Sequence, residues 1–71
     1  MELSITYEGQ GSWRAEANSA YGGGCFCHCK TFEKAVAILP LVARRARYND
    51  DREDGLVYEV MEEERLRELM K

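Results

Sequence analysis

The sequence predicts a small α+β domain with the element order β-β-β-α-β-α. Three observations carry that reading. Residues 2–8 and 12–18 alternate apolar and polar side chains on either side of a glycine-rich turn. Apolar residues recur at helical spacing from Phe32 to Ala46. A strand-like run, Leu56–Met61, then leads into a charged helical segment, Glu62–Lys71. At 71 residues the chain forms one domain, 1–71. A chain of this size buries only about 60% of its unfolded surface, so its stability margin is thin.

Each element has a local cause. In Glu2–Glu8, Leu3, Ile5 and Tyr7 face one way and the polar residues the other, the pattern of a half-buried strand. Gly9-Gln10-Gly11 is a turn signal. In Ser12–Asn18, Trp13, Ala15 and Ala17 point inward and Arg14 and Glu16 outward, which completes a hairpin. Tyr21–Gly24 reads as a flexible loop. It lacks the Gly-Lys-Ser/Thr ending of a phosphate-binding loop. Cys25–Lys30 then makes the third strand of an antiparallel meander. Thr31 suits a helix N-cap, with Glu33 in the first turn. Phe32, Val36, Leu39, Val42, Ala43 and Ala46 form the apolar stripe, and Arg44, Arg45 and Arg47 sit where cations favour the dipole. Pro40 removes one helical hydrogen bond at a cost of about 3 kcal/mol. The stripe continues past it, so one kinked helix over 32–48 is expected, packed on one face of the meander. Asn49–Gly55 reads as an acidic loop and Leu56–Met61 as the fourth strand. The last helix places Leu66, Leu69 and Met70 on one face and lets Glu63 pair with Arg67 at i,i+4.

The net charge of −3 is unevenly spread. Residues 1–29 sum to −2, residues 30–48 to +4, residues 49–64 to −7 and the remainder to +2. Nucleic-acid binders usually carry a basic excess, whereas here the densest charge is negative. No apolar run reaches the roughly 20 residues of a membrane span. The opening MELSITYEG lacks the layout of a signal peptide, and three cysteines suit a reducing compartment. A cytoplasmic location is expected.

Three cysteines and the one histidine lie within Cys25–Cys29. On a strand, residues i and i+2 share a face roughly 6.5–7 Å apart, so Cys25 and Cys29 stand roughly 13 Å apart. One zinc holds its thiolates at about 2.3 Å, so a regular strand cannot bring all three to it. His28 projects from the other face, away from Cys27, which denies that thiol a neighbouring base. The expectation is therefore core thiols, with no metal and no cofactor. Phe26, His28 and Lys30, with Arg14 nearby, form a candidate contact face. A metal- or thiol-binding protein built on Cys25, Cys27, His28 and Cys29 is the alternative if the segment is a loop. Direct RNA or DNA binding through Arg44, Arg45 and Arg47 is a third reading.

Gly11-Ser12-Trp13-Arg14-Ala15-Glu16, then Gly24-Cys25, then Thr31-Phe32-Glu33-Lys34-Ala35 resemble the N-terminal lobe of HicB-type antitoxins over about residues 3–46. That resemblance implies a partial RNase H-like fold, no catalytic residues, and a partner that is a small basic RNase. In size and charge alone, the chain also resembles small phage anti-CRISPR inhibitors. Both resemblances meet in one expectation: a non-catalytic inhibitor that imitates nucleic acid and covers a partner's basic nucleic-acid-binding surface. The partner is an RNase toxin or a subunit of a defence complex. The binding residues expected are Asp50, Asp51, Glu53, Asp54, Glu59, Glu62, Glu63 and Glu64, because carboxylates meet the same Lys and Arg side chains as phosphates do. A free sheet edge also allows a homodimer.

Overall fold

Alternation and helical spacing resolve into six elements in the computed structural model, which describes residues 1–55 and 57–71. They are β1 (Glu2–Gly9), β2 (Ser12–Asn18), β3 (Gly24–Cys29), α1 (Phe32–Asp50), β4 (Tyr58–Glu62) and α2 (Glu63–Leu69). The order is the one the sequence predicts. The four strands form one sheet in the order β1-β2-β3-β4. The first three are an antiparallel meander, and β4 adds to β3 in parallel. A parallel neighbour needs a crossover of a dozen or more residues, and α1 supplies it.

The β1–β2 turn works because Gly9, Gln10 and Gly11 all have positive φ (86°, 53° and 72°). Two of these positions are glycine, for which the left-handed region carries no Cβ penalty. The register shifts between Tyr7 and Gly9, a bulge that lets the hairpin close.

Thr31 caps α1: its hydroxyl accepts from the Lys34 N–H at 3.1 Å. The helix is continuous through Pro40 and ends at Asp50, two residues beyond the expected stop. Pro40 and Val36 are both exposed, so the carbonyl that the proline leaves without a donor faces water. The extension takes Asn49 and Asp50 out of the expected loop. Asn49 is fully buried, and its Nδ2 donates to the Gly24 carbonyl at 3.0 Å. The fourth strand begins at Tyr58 rather than Leu56, and Leu56 lies outside the described residues.

The core lies between the helices and one face of the sheet. Ala15, Ala17, Cys25, Cys27 and Cys29 of the sheet meet Ala35, Ile38, Val42 and Ala46 of α1, with Met61 and Leu66 closing one side. The helix is rotated relative to the expected stripe. Its buried line is Ala35, Ile38, Val42, Ala46 and Asn49, whereas Phe32 and Val36 remain 48% and 47% exposed. The cause is visible in the chain: residues 35–43 carry no polar side chain, so the apolar pattern does not fix the rotation. In α2, Leu66 is fully buried and Met70 half-buried, while Leu69 stays exposed.

Among the described residues, Ile38 is the largest fully buried side chain. Truncation to alanine is expected to cost about 2–4 kcal/mol through lost transfer energy and a residual cavity. Val60→Ala, at a position 58% exposed, should change stability by less than about 0.5 kcal/mol. Urea denaturation of the two variants measures the contrast.

Candidate protein-binding surface

The acidic window does not fold into one patch. Two of its carboxylates are structural. Glu59 sits on the helix side of β4 and takes a bidentate contact from Arg45, with Nε–Oε1 at 2.6 Å and Nη2–Oε2 at 3.2 Å. Arg52 Nη1 lies 3.8 Å from the same Oε1. The Arg45 hydrogen bonds, aided by Asn49 and the charge of Arg52, hold the Glu59 carboxyl below its ordinary range despite partial burial. Asp50 is the second: its Oδ1 accepts from the Gly23 N–H at 2.7 Å and ties the end of α1 to the loop before β3. A side chain at Gly23 would collide with Asp50 and with the Ala46 carbonyl, so only glycine fits that contact.

The other six acids fall into two groups at opposite ends of β4. Asp51, Glu53 and Asp54 surround a shallow depression with Tyr48 and Arg52, and Asp54 is ion-paired with Arg52. Glu62, Glu63 and Glu64 line a second depression with His28, Cys29, Lys30 and Lys34. Glu63 pairs with Arg67 at 3.2 Å, the i,i+4 contact expected from spacing. The strand between the groups spans roughly 13–17 Å. Asp51, Glu53, Glu62 and Glu64 have exposed side chains without an ion pair among the described residues.

The cysteine cluster divides as strand alternation dictates. Cys25, Cys27 and Cys29 are buried and free. Burial, reinforced by Glu59, pushes the Cys25 thiol up to about 11. Burial, reinforced by the neighbouring Cys29, pushes Cys27 to about 12. Burial also raises Cys29. Protonated thiols are poor nucleophiles and poor metal ligands. His28 stands on the opposite face, its Nδ1 2.8 Å from Glu8 Oε1. No group of three or more metal-binding side chains occurs among the described residues.

That opposite face is open and forms a connected surface. Arg14 faces His28 across the β2–β3 ladder, 3.7 Å from Glu8 and 3.4 Å from Glu16, with its guanidinium 5.5 Å above the Phe26 ring. Phe26 meets His28 edge-on at 5.1 Å and Tyr58 at 5.6 Å. The Tyr58 hydroxyl donates to Glu16 at 3.1 Å; partial burial and this contact push its pKa up to about 12. Phe26, His28 and Arg14 were readable as one face from alternation. The parts played by Glu8, Glu16 and Tyr58 were not, because they depend on register. Of the three helix arginines, Arg45 is held by Glu59 and stacks 4.5 Å from the Tyr48 ring, which leaves Arg44 and Arg47 exposed.

No protein-family model, curated protein or solved structure matches the chain. Among the described residues, no helix is long and apolar enough to cross a membrane.

Two outcomes follow from the ionisation of these groups. The depressed Glu59 contributes stability that is present above its ordinary value of 4.5 and is lost as pH falls through its lower folded value. Glu59→Gln should cost about 1–2 kcal/mol at pH 7 and flatten the acid limb of a stability–pH profile below about pH 4.5. At pH 8 a thiol reagent should label the native cysteines roughly a hundredfold more slowly than those of the unfolded chain. Stopped-flow absorbance with and without denaturant measures that ratio.

Proposed function

We propose that this chain is a non-catalytic binding protein. It inhibits a nucleic-acid-handling protein by covering that partner's basic surface with carboxylates. The observation that carries this reading is the exposure of carboxylates on either side of β4, Asp51, Glu53 and Asp54 before it and Glu62 and Glu64 at its far end. The strand that lies between them, Tyr58–Glu62, is roughly 13–17 Å long, the axial rise of about four or five nucleotides at 3.4 Å each. A groove of Lys and Arg side chains shaped for a phosphate backbone meets both groups at once. Asp50 and Glu59 leave the set of contact residues first expected for this role and act as its framework.

The partner is a cytoplasmic protein, either a small basic RNase, as the antitoxin-lobe resemblance implies, or a defence-complex subunit of the kind phage inhibitors block. Both classes present the same cationic chemistry. Buried, protonated thiols and shallow surface depressions also support a role without catalysis.

The reading is tested by affinity capture from native cells, followed by competition with single-stranded nucleic acid. The captured protein should be a nucleic-acid-handling protein released by the competitor. The double variants Asp51→Lys/Glu53→Lys and Glu62→Lys/Glu64→Lys should each weaken binding at least tenfold and keep a native circular dichroism spectrum. Full binding by both variants, or a captured partner indifferent to nucleic acid, would refute the proposal.

A further inference from the structure

The sheet ends in two edge strands, β1 and β4, and they differ in how they are guarded. A bulge between Tyr7 and Gly9 distorts the β1 edge. On β4 the register with β3 runs without a shift from Tyr58 to Glu62, and the strand carries no proline or lysine. Its one inward charge, Glu59, is neutralised by Arg45. Val60, in the middle of the strand, is 58% exposed.

The ladder itself identifies the backbone groups that face outward. Gly24 stands opposite Tyr58, and its N–H donates to the Val57 carbonyl. In a parallel pair, alternate residues of a strand bond to the same neighbour, so Glu59 and Met61 turn their backbone groups to β3. Tyr58 and Val60 therefore turn both N–H and C=O to the outer edge, and Glu62 turns its N–H there. Among the described residues, no backbone hydrogen bond outside the ladder reaches these groups. The side chains of the same three residues lie on the open face of the sheet. There Val60 stands opposite Phe26, and Tyr58 meets the Phe26 ring. A strand added at this edge gains backbone hydrogen bonds and an apolar cross-strand neighbour together.

Charge selects the occupant. Exposed acids precede β4 at Asp51 and Glu53 and close it at Glu62 and Glu64. A second copy, pairing its β4 antiparallel about a two-fold axis, sets the acids that follow one strand beside those that precede the other. Like charges placed so oppose association. A segment with cations beyond both ends of its paired residues meets both sets favourably.

We infer that the outer edge of β4 takes up an extended segment of a partner protein as a fifth strand of the sheet. The segment carries a β-branched or aromatic residue beside Val60 and Lys or Arg beyond each end; these cationic flanks rest on the carboxylate reading proposed above. Backbone bonds supply affinity, and the side chains beside Val60 and at the flanks supply specificity. At 3.3 Å per residue β4 spans roughly 17 Å, so nine extended residues, roughly 30 Å, cover it and pass both sets of acids.

A nine-residue synthetic peptide tests this, with alternating valine and threonine at its five central positions and lysine and arginine at each end. Fluorescence anisotropy follows its binding to the full chain. Two further versions carry N-methyl groups on alternate central residues, one version for each edge of the peptide. One should bind like the parent and the other at least tenfold more weakly, because only one row of amides meets β4. Val60→Pro removes an outward N–H and leaves the ladder to β3 intact, and it should also weaken binding at least tenfold. Circular dichroism checks that this variant is folded; if it is not, the methylated pair on the unaltered chain carries the test. No binding by the parent peptide, equal binding by the two methylated versions, or full binding by folded Val60→Pro would overturn the inference. If Glu62→Lys/Glu64→Lys abolishes binding while both methylated versions bind alike, edge pairing falls and the carboxylate reading stands. If that variant binds fully while one methylated version fails, edge pairing stands and the carboxylate reading falls.

Discussion

The close approach of one helix to a floor of small side chains underlies the rest of this fold. The sheet offers glycine, alanine and cysteine at the buried positions of β2 and β3, and α1 answers with Ala35 and Ala46 on either side of Ile38 and Val42. With so few large side chains, burial of apolar area per residue is modest, and stability depends on tight contact and not on bulk. The cysteines serve this need as compact, weakly polar fillers. Their chemistry follows from the same packing: the burial that makes them useful in the core also keeps their protons on.

Close packing also decides how charge is distributed. Once α1 is seated, Arg45 overhangs the start of β4, and Glu59 is the acid that meets it. Asp50, at the helix end, reaches the backbone of the loop that opens β3. Acids adjacent in sequence therefore serve different ends: some fasten the crossover, and others are left to solvent. A charge window is a statement about the chain, while a charged patch is a statement about the surface. The two coincide here only in part.

Much of the architecture was legible before any coordinates. Period-two alternation located the hairpin and the third strand, and it correctly turned Cys25, Cys27 and Cys29 inward and His28 outward. Thr31 marked the helix start through its capping chemistry. The rotation of α1 was not legible, because nine consecutive residues without a polar side chain give a helix no preferred inner side. Nor was the helix end: Asn49 and Asp50 look like loop residues until Gly24 and Gly23 supply their partners. Likewise, the pairing of Glu59 with an arginine 14 residues earlier is a tertiary fact, and it removes that acid from the exposed set.

The parallel addition of β4 to β3 has a consequence for how the chain assembles. The meander is built from neighbours in sequence and closes through short turns. The last strand has no ladder to join until nineteen helical residues have carried the chain back across the sheet. Closing so long a loop brings its entropy penalty before the new backbone pairs form. Docking of the C-terminal strand and helix thus depends on contacts between residues far apart in the chain, unlike the hairpin that opens the sheet.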